Sequence, residues 1–598
     1  MKKTLLFLFA FISITCFAQL SKTHYIPPLT SNNNSAVTPQ DHYIYISTPS
    51  TTIVNFKIIE IGGNIINETV SNSNAYKHYI GSGINTQLFV TSTSTGVVSN
   101  KGYIIEAEGL IFASVRTNSG NGNQAGGLVA KGNSALGKRF RAGAMLNTSN
   151  IAGLLNFFSI LTTENSTTIT ISNIFEGTIL ANGTTFNGPK TINLNKNQSY
   201  ILAIDGLSGF NLIGALIESD KNIVVNSGSF GGTNDPSNAS TSGRDLGFDQ
   251  IVGADKIGAE YIFIKGNGFN AIERVLLIAD EDNTEIFVNG SPTAVETIEA
   301  GQKYILDGSA FTNGSLSIET SKKVFAYQSI GENSNANQNL FFVPPLNCST
   351  PKVVDNIPDI DKIGNKFFNG TVNIVTETGA TVEIDNNPIV STPRPIAGNS
   401  NFVFYSLNSL SGNVSIKSSK QVYVSYYGTN NVATYGGYYS GFDLKPEILL
   451  ETNLSVTGNC IPNITLKTNP DPDYSFQWIF NGVDIPGAIS NSILPTQAGY
   501  YQVRRSILNC ISTLSDKIPV SICPPDTDGD GVNNNIDIDL DNDGILNTVE
   551  STSNFINQSN TLLGTNFSGV ITGDGPILGK TNWISIYRTS GNYKIEYL

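Results

Sequence analysis

The stretch SIETSKKVFAY, residues 317–327, decides how this chain folds. Ile318 is followed by an acid, a short polar segment with two lysines, and a run of β-branched and aromatic residues. Apolar and polar positions alternate with the period of two that lines one face of a strand. The same string returns as IIEAEGLIFAS (104–114), LIESDKNIVVN (216–226) and SIKSSKQVYVS (415–425). The anchors Ile105, Ile217, Ile318 and Ile416 stand about 100 residues apart, a domain-sized period. Each string reads as the strand that closes one copy of a repeated unit.

Two further traces repeat. IVGADKIGAEYIF (251–263) and IPDIDKIGNKFFN (357–369) share Asp-Lys-Ile-Gly followed by an aromatic, with SALGKRFRA (134–142) a weaker copy; these are expected to open units. STTIVNF (50–56), NSTTITI (165–171), DNTEIFVNG (282–290) and GATVEID (379–385) each place a strand at a Thr-containing turn. Asn182-Gly183 and Asn289-Gly290 are type I′ hairpin signals. Helical periodicity is nearly absent, and the short runs rich in Val, Ile, Thr, Tyr and Phe predict half-buried antiparallel strands. The expected fold is all-β: tandem antiparallel β-sandwich-like units at 19–120, 121–245, 246–345 and 346–445. Gly- and Asn-rich stretches such as SGNGNQAGG (119–127) and GGTNDPSNASTSG (231–243) read as links.

The 598 residues suffice for several domains. Only 14% are charged, and Gly, Asn, Ser and Thr fill the polar positions, as in extracellular β-proteins rich in turns. The net charge is −13, and residues 524–550 hold eight acids and no base, so the acidity is local. Without a basic patch, nucleic acid is excluded as a partner. Lys2, Lys3, the apolar run Leu5 to Ile14 and the small-residue site ending at Ala18 read as a signal peptide, residues 1–18. Lipidation at Cys16 is the alternative. No later stretch is long and apolar enough to cross a bilayer, so no transmembrane segment is expected and the chain is placed outside the cell or on its surface. Four cysteines then remain: Cys348, Cys460, Cys510 and Cys523. An even count in an exported chain predicts disulfides.

Residues 526–550 hold two twelve-residue acidic loops separated by Ile538. In the first, Asp526, Asp528 and Asp530 take positions 1, 3 and 5, Gly531 position 6, the carbonyl of Val532 position 7 and Asp537 position 12. In the second, Asp539, Asp541, Asp543, Gly544, Ile545 and Glu550 repeat the scheme. Alternate carboxylates, a glycine at the sharp turn and a closing acid supply the oxygens a hard cation needs, so calcium is the expected cofactor. Cys523-Pro524-Pro525 before the loops does not suit a helix, and no amphipathic helix follows. The stretch 524–550 resembles a thrombospondin type 3 repeat, though it lacks the internal cysteines that family often carries.

The third unit and its approach resemble the IgGFc-binding N-terminal domain family, on GRDLGFDQIVGADKIGAEYIF (243–263), RVLLIADEDNTEIFVNG (274–290), AGQKYIL (300–306) and SIETSKKVFAYQ (317–328). The family's acid-Gln pair before Gly-x-x-Tyr is met by Asp249-Gln250 and Gly258-Ala259-Glu260-Tyr261. The resemblance covers about 120–445 and implies a binding region. Residues 446–523 resemble a bacterial immunoglobulin-like module, with Trp478 at the strand C position and Tyr501 at the tyrosine corner. Val503 replaces the usual strand F cysteine, so a Cys460–Cys510 bridge is expected instead, with Cys348 and Cys523 unassigned. Residues 551–598 read as the start of a further β-domain. The export signal together with the acidic loops resembles surface proteins of gliding bacteria.

Histidines number three, His24, His42 and His78, all in the first unit, and read as surface or strand-edge residues. No nucleotide loop or zinc spacing is present. The Tyr-rich stretch YYGTNNVATYGGYY (426–439) offers Tyr435, Tyr438 and Tyr439 as contacts to a sugar or protein; covering the end of a domain is the alternative. The leading expectation is a non-enzymatic surface protein that binds an extracellular protein or glycan. A carbohydrate-active enzyme and a structural stalk are its rivals. Ligand identity and oligomeric state stay open.

Overall fold

The computed structural model describes residues 20–32, 37–148, 151, 153–235, 243–332, 338–347, 350–442, 449–452, 460–468, 474–506, 513–515, 517–523, 525, 527–529, 532, 534, 537–542, 584–589 and 592–597. Contacts divide the chain near Leu444 into two bodies. The fold is all-β, built mainly from antiparallel sheets.

The first body contains four units that share one topology. Each anchor string lies in a closing strand: Tyr103–Ser119, Leu216–Gly232 and Ser315–Gly331, 17 residues each, and in the fourth unit Val414–Ser418 plus Val422–Asn430. The front half of each closing strand belongs to an outer sheet. There it lies between Val54–Glu60 and Ser21–Ile26, then Thr167–Ser172 and Gly137–Arg141, Thr284–Val288 and Gly258–Ile264, and Val382–Ile384 and Val353–Ile357. The rear half belongs to an inner sheet, where it pairs with a return strand: Gln124–Ala130, Asp245–Ile251, Gln338–Phe342 and Ala433–Tyr438. One long strand thus serves both sheets of its sandwich. The front half mixes buried with partly or fully exposed residues, as in a sheet with one face to solvent, while the rear half is buried throughout. All four anchor isoleucines are buried in their sandwiches.

The rear halves are buried on both faces because the units pack on one another. Each return strand lies against the next, and the fourth lies against the first, so the four units close a ring. Hydrophobic clusters run across the seams. Val115 and Leu128 of the first unit pack with Phe157 and Phe248 of the second, and Phe112 and Val129 of the first pack with Val372 and Tyr435 of the fourth. Strands this close leave no room for a Cβ at two glycines: one added to Gly126 would lie 2.5 Å from Leu246 Cβ, and one on Gly437 2.8 Å from Val129 Cγ2.

Several local expectations change. The segment 119–127 is not a link throughout, since the first return strand starts at Gln124. The two Asp-Lys-Ile-Gly strings are not equivalent. Gly258 begins the first strand of its unit, whereas Lys362–Ile363 pairs with Lys366–Phe367 in a small hairpin after the first strand Val353–Ile357. Asn289 and Gly290 both adopt positive φ, 51° and 72°, as a type I′ turn needs, but at Asn182-Gly183 only the glycine does.

The second body includes a small sandwich. Trp478 is fully buried and donates from Nε1 to the Ser490 carbonyl at 2.8 Å, facing Val503 across the sheet. The Tyr501 hydroxyl donates to the Gln497 carbonyl at 3.0 Å, which closes the tyrosine corner. The expected Cys460–Cys510 bridge is corrected: Cys460 is bonded to Cys523. The strand Cys460–Ile461 runs parallel to Ile518–Ile522, and the Cys523 N–H donates to the Ile461 carbonyl at 2.9 Å. That register sets the two Cα atoms 4.9 Å apart, within bridging range. Cys348 and Cys510 lie outside the described residues. So do the signal peptide and, of the calcium loops, Asp526, Asp530, Asp543, Ile545 and Glu550; of 551–598 only the hairpin of Ile584–Thr589 with Asn592–Tyr597 is described.

Candidate ligand-binding site

The tyrosines expected to meet a ligand are core residues. Tyr435, Tyr438 and Tyr439 are 0%, 2% and 1% exposed. The stretch 426–439 is a hairpin of the fourth closing and return strands, turning at Asn431 with φ 51°. Its aromatic rings surround Arg116 of the first unit, whose guanidinium carbon stands 4.3 Å from the ring centre of Tyr45, 5.3 Å from that of Tyr426 and 5.2 Å from that of Tyr435. Arg116 donates to the carbonyls of Pro358, Asp359 and Lys362 at 2.6–3.0 Å. The Tyr435 hydroxyl donates to the Ile360 carbonyl at 2.6 Å, and Tyr439 meets Ser114 Oγ at 3.1 Å. A buried cation needs carbonyls and π faces in place of water; residues 358–362 supply the carbonyls, and Tyr45 with the hairpin tyrosines supplies the π faces. The expected ligand contacts are therefore corrected: Tyr435 and Tyr439 seal the fourth unit to the first, and Tyr438 packs on Phe341 of the third, ring centres 5.6 Å apart.

The centre of the ring is polar. Asp245, on the second return strand, accepts from the backbone N–H of Ala125 at 2.7 Å, Leu246 at 2.9 Å, Thr434 at 2.7 Å and Gln338 at 3.4 Å. One carboxylate thereby touches the return strands of all four units. Further along the same strand, Asp249 accepts from Val129 N–H at 3.1 Å, Gln250 N–H at 2.8 Å, Phe342 N–H at 3.1 Å and Lys131 Nζ at 2.8 Å. Gln250 takes the Lys131 N–H on Oε1 at 2.6 Å. The acid-Gln pair visible in the sequence is thus a fastening between units. Burial raises the pKa of both aspartates and lowers that of Lys131.

Two of the three histidines are core residues, not the surface or strand-edge residues expected. His24 and His42 are buried, and desolvation lowers each to about 4, so both are neutral near pH 7. His24 Nε2 bonds the Ile111 carbonyl at 2.8 Å.

What remains for a partner is the solvent face of the outer sheets. The residue after each anchor, Glu106, Glu218, Glu319 and Lys417, faces out beside the neighbouring strand, pairing with Lys57, Thr170, Phe287 and Glu383. In the first unit this face forms a groove of about 660 Å³ lined by Asn55, Lys57, Asn67, Thr69, Glu106 and Glu108 among others. Lys57 meets Glu106 at 2.7 Å, and the Asn55 side-chain amide donates to Glu108 at 2.7 Å. The second unit repeats the chemistry: the Thr168 hydroxyl donates to Asn193 Oδ1 at 2.9 Å and Thr170 meets Thr191 at 3.3 Å. Amides, hydroxyls and carboxylates side by side on a rigid sheet can hydrogen-bond a sugar or a polar protein surface. The turn and strand strings marked these strands in the sequence, but their outward residues carry no motif of their own.

In the acidic connector, Asp537 accepts the Asp539 N–H at 2.9 Å and Asn534 accepts the Thr527 N–H at 2.9 Å. Among the described residues no group of three or more carboxylate, histidine or cysteine side chains converges. The donor set itself, carboxylates and carbonyls alone, has the chemistry of a calcium site.

Comparison with protein families matches residues 127–428 to the family described as IgGFc binding protein, a span from the first return strand into the fourth closing strand. No curated protein matches. Among solved structures, the biofilm associated protein BSP domain is 10% identical, with 84% of this chain and 96% of that one covered at a TM-score of 0.13. The tetra-tandem repeat from the extending region of a large adhesion protein is 11% identical, with coverage of 83% and 99% and a TM-score of 0.11. Immunoglobulin domains 1–5 of Sidekick-1 are 10% identical, with coverage of 84% and 100% and a TM-score of 0.10. Likeness at such scores says nothing about function.

Proposed function

Because the chain belongs to the IgGFc binding protein family, we propose that it is an exported, non-enzymatic surface protein that adheres to an extracellular protein or glycan. The observation that carries this reading is the fourfold outer sheet. The same strand position faces solvent in every unit, so one molecule offers several related faces, and weak contacts made together raise avidity. Occupation of His24, His42, Asp245 and Asp249 in the core supports the non-enzymatic reading. The stalk reading is less favoured, because an open row lengthens with each unit and a closed ring does not. Residues 524–550 are proposed to bind calcium and to stiffen the connector when loaded.

The test immobilises the full chain and measures binding to the Fc part of immunoglobulin G, to other extracellular proteins and to a glycan array. The expected result is saturable binding that weakens when Asn55, Glu108, Thr168 and Asn193 are all changed to Ala. Binding that ignores these changes would move the contact away from the outer sheets. Turnover of a polysaccharide or peptide would overturn the non-enzymatic reading.

A further inference from the structure

Lys131 and Asp249 meet in the driest part of the ring, with side chains 0% and 1% exposed. Nζ stands 2.8 Å from Oδ2 and also 3.2 Å from the Val129 carbonyl, with the Phe442 ring centre 5.0 Å away. The other carboxylate oxygen, Oδ1, takes two backbone N–H groups, from Val129 at 3.1 Å and Gln250 at 2.8 Å. An amine held against a carboxyl group whose second oxygen sits between two N–H donors brings together the nucleophile, the acyl group and the oxyanion donors that acyl transfer uses. We propose that Lys131 and Asp249 condense to an amide, a covalent cross-link between the first and second units.

The step balances without a co-reactant. A proton passes from Nζ to Oδ2 along their contact, leaving a neutral amine and a neutral acid. Nζ attacks Cγ, and the charge that develops on Oδ1 is met by the Val129 and Gln250 N–H groups. A second proton leaves nitrogen for Oδ2, the Cγ–Oδ2 bond breaks, and one water departs. Burial favours the neutral reactants, since it lowers the lysine and raises the aspartic acid. It favours the product too, because an amide carries no charge to desolvate. Oδ1 keeps both donors, and the remaining N–H faces the Val129 carbonyl. The Phe342 N–H, which now donates to Oδ2, is left to the released water.

Tryptic mapping of the purified full chain by mass spectrometry tests this. The expected product is a branched peptide joining residues 117–138, uncut after Lys131, to residues 245–256, one water lighter than the two together. Lys131→Arg keeps a cation beside Asp249 and should give cleavage at that position with both peptides separate. Should that variant fail to fold, the wild-type digest decides alone. Separate wild-type peptides 117–131 and 245–256 at full mass would overturn the proposal, as would a branched peptide recovered from Lys131→Arg.

Discussion

The backbone N–H of Thr434 donates to the carboxylate of Asp245 at 2.7 Å, across 189 residues of chain. No sheet ladder joins the strands that carry them. The contact exists because four return strands converge and their backbones need acceptors that no neighbouring strand provides. A carboxylate with two oxygens is the smallest side chain that can serve four donors at once.

Asp245→Ala should therefore destabilise the first body strongly. Each buried N–H left without a partner costs about 1–3 kcal/mol. The midpoint of chemical denaturation should drop, followed by the near-ultraviolet signal of the buried tyrosines. A wild-type midpoint would show that the four strands hold together without this acid.

Glu273 gives a pH signature. It is buried, with Oε1 accepting from Gly268 and Gly331 at 2.9 Å each and Oε2 from Gly266 at 3.0 Å. Desolvation pushes it up from 4.5 to about 7. A folded pKa above the unfolded one means that its stabilisation is complete below pH 4.5 and is lost as pH rises through 7. His24 and His42, depressed to about 4 from 6.5, act in the opposite sense and lose theirs as pH falls from 6.5. Comparison with Glu273→Gln isolates the carboxyl: between pH 5 and 8 the wild type should lose up to about 3 kcal/mol relative to that variant. Parallel pH profiles for the two proteins would exclude the effect.

Tyr435, Tyr438 and Tyr439 behave as core. Replacing all three by Ala should unfold the body, since a buried aromatic changed to Ala costs about 3–5 kcal/mol. Tyr435→Phe, which removes only the hydroxyl bound to Ile360, should cost about 1 kcal/mol. Circular dichroism during thermal melting separates these outcomes from the intact spectrum a surface cluster would give.

Non-reducing peptide mapping should recover Cys460 joined to Cys523. Replacing both with Ser should lower the stability of the immunoglobulin-like module by about 2–4 kcal/mol. A map that pairs Cys460 with Cys510 would contradict the register of the terminal strands.

Calorimetry should detect calcium binding with dissociation constants of about 10⁻⁴–10⁻³ M, the range of extracellular modules. The heats should vanish in Asp528→Ala combined with Asp541→Ala. Unchanged heats would remove calcium from the connector.

The strands and their fourfold period were legible because alternation is local and Ile105, Ile217, Ile318 and Ile416 each mark a sandwich core. Ring closure was not legible, since it rests on pairs such as Arg116 with Asp359, 243 residues apart. The error over the tyrosines has the same root. Gly436 and Gly437 beside Asn430 and Asn431 resemble an exposed loop, yet the glycines are there because another strand presses on them. Gly126 in the supposed link 119–127 answers the same need. Glycine signals both turns and close approach, and composition does not separate the two. The disulfide was not legible because the partner of Cys460 is set by the last strand of the module, Ile518–Ile522, which brings Cys523 beside the parallel strand Cys460–Ile461.

The seam between the first and fourth units has a mechanical meaning. Leu20 and Tyr439 belong to one hydrophobic cluster, so the first and last described stretches of the first body are packed into the same seam. Tension applied through its two ends would not pull the units apart in file. It would open that one seam first, against the Arg116 cage and the Ser114 contact with Tyr439, and the other three seams would feel little load until it gave way. For a protein held at a surface, resistance to force is then set by a few residues at a single joint, and a fifth unit could not be added without breaking it.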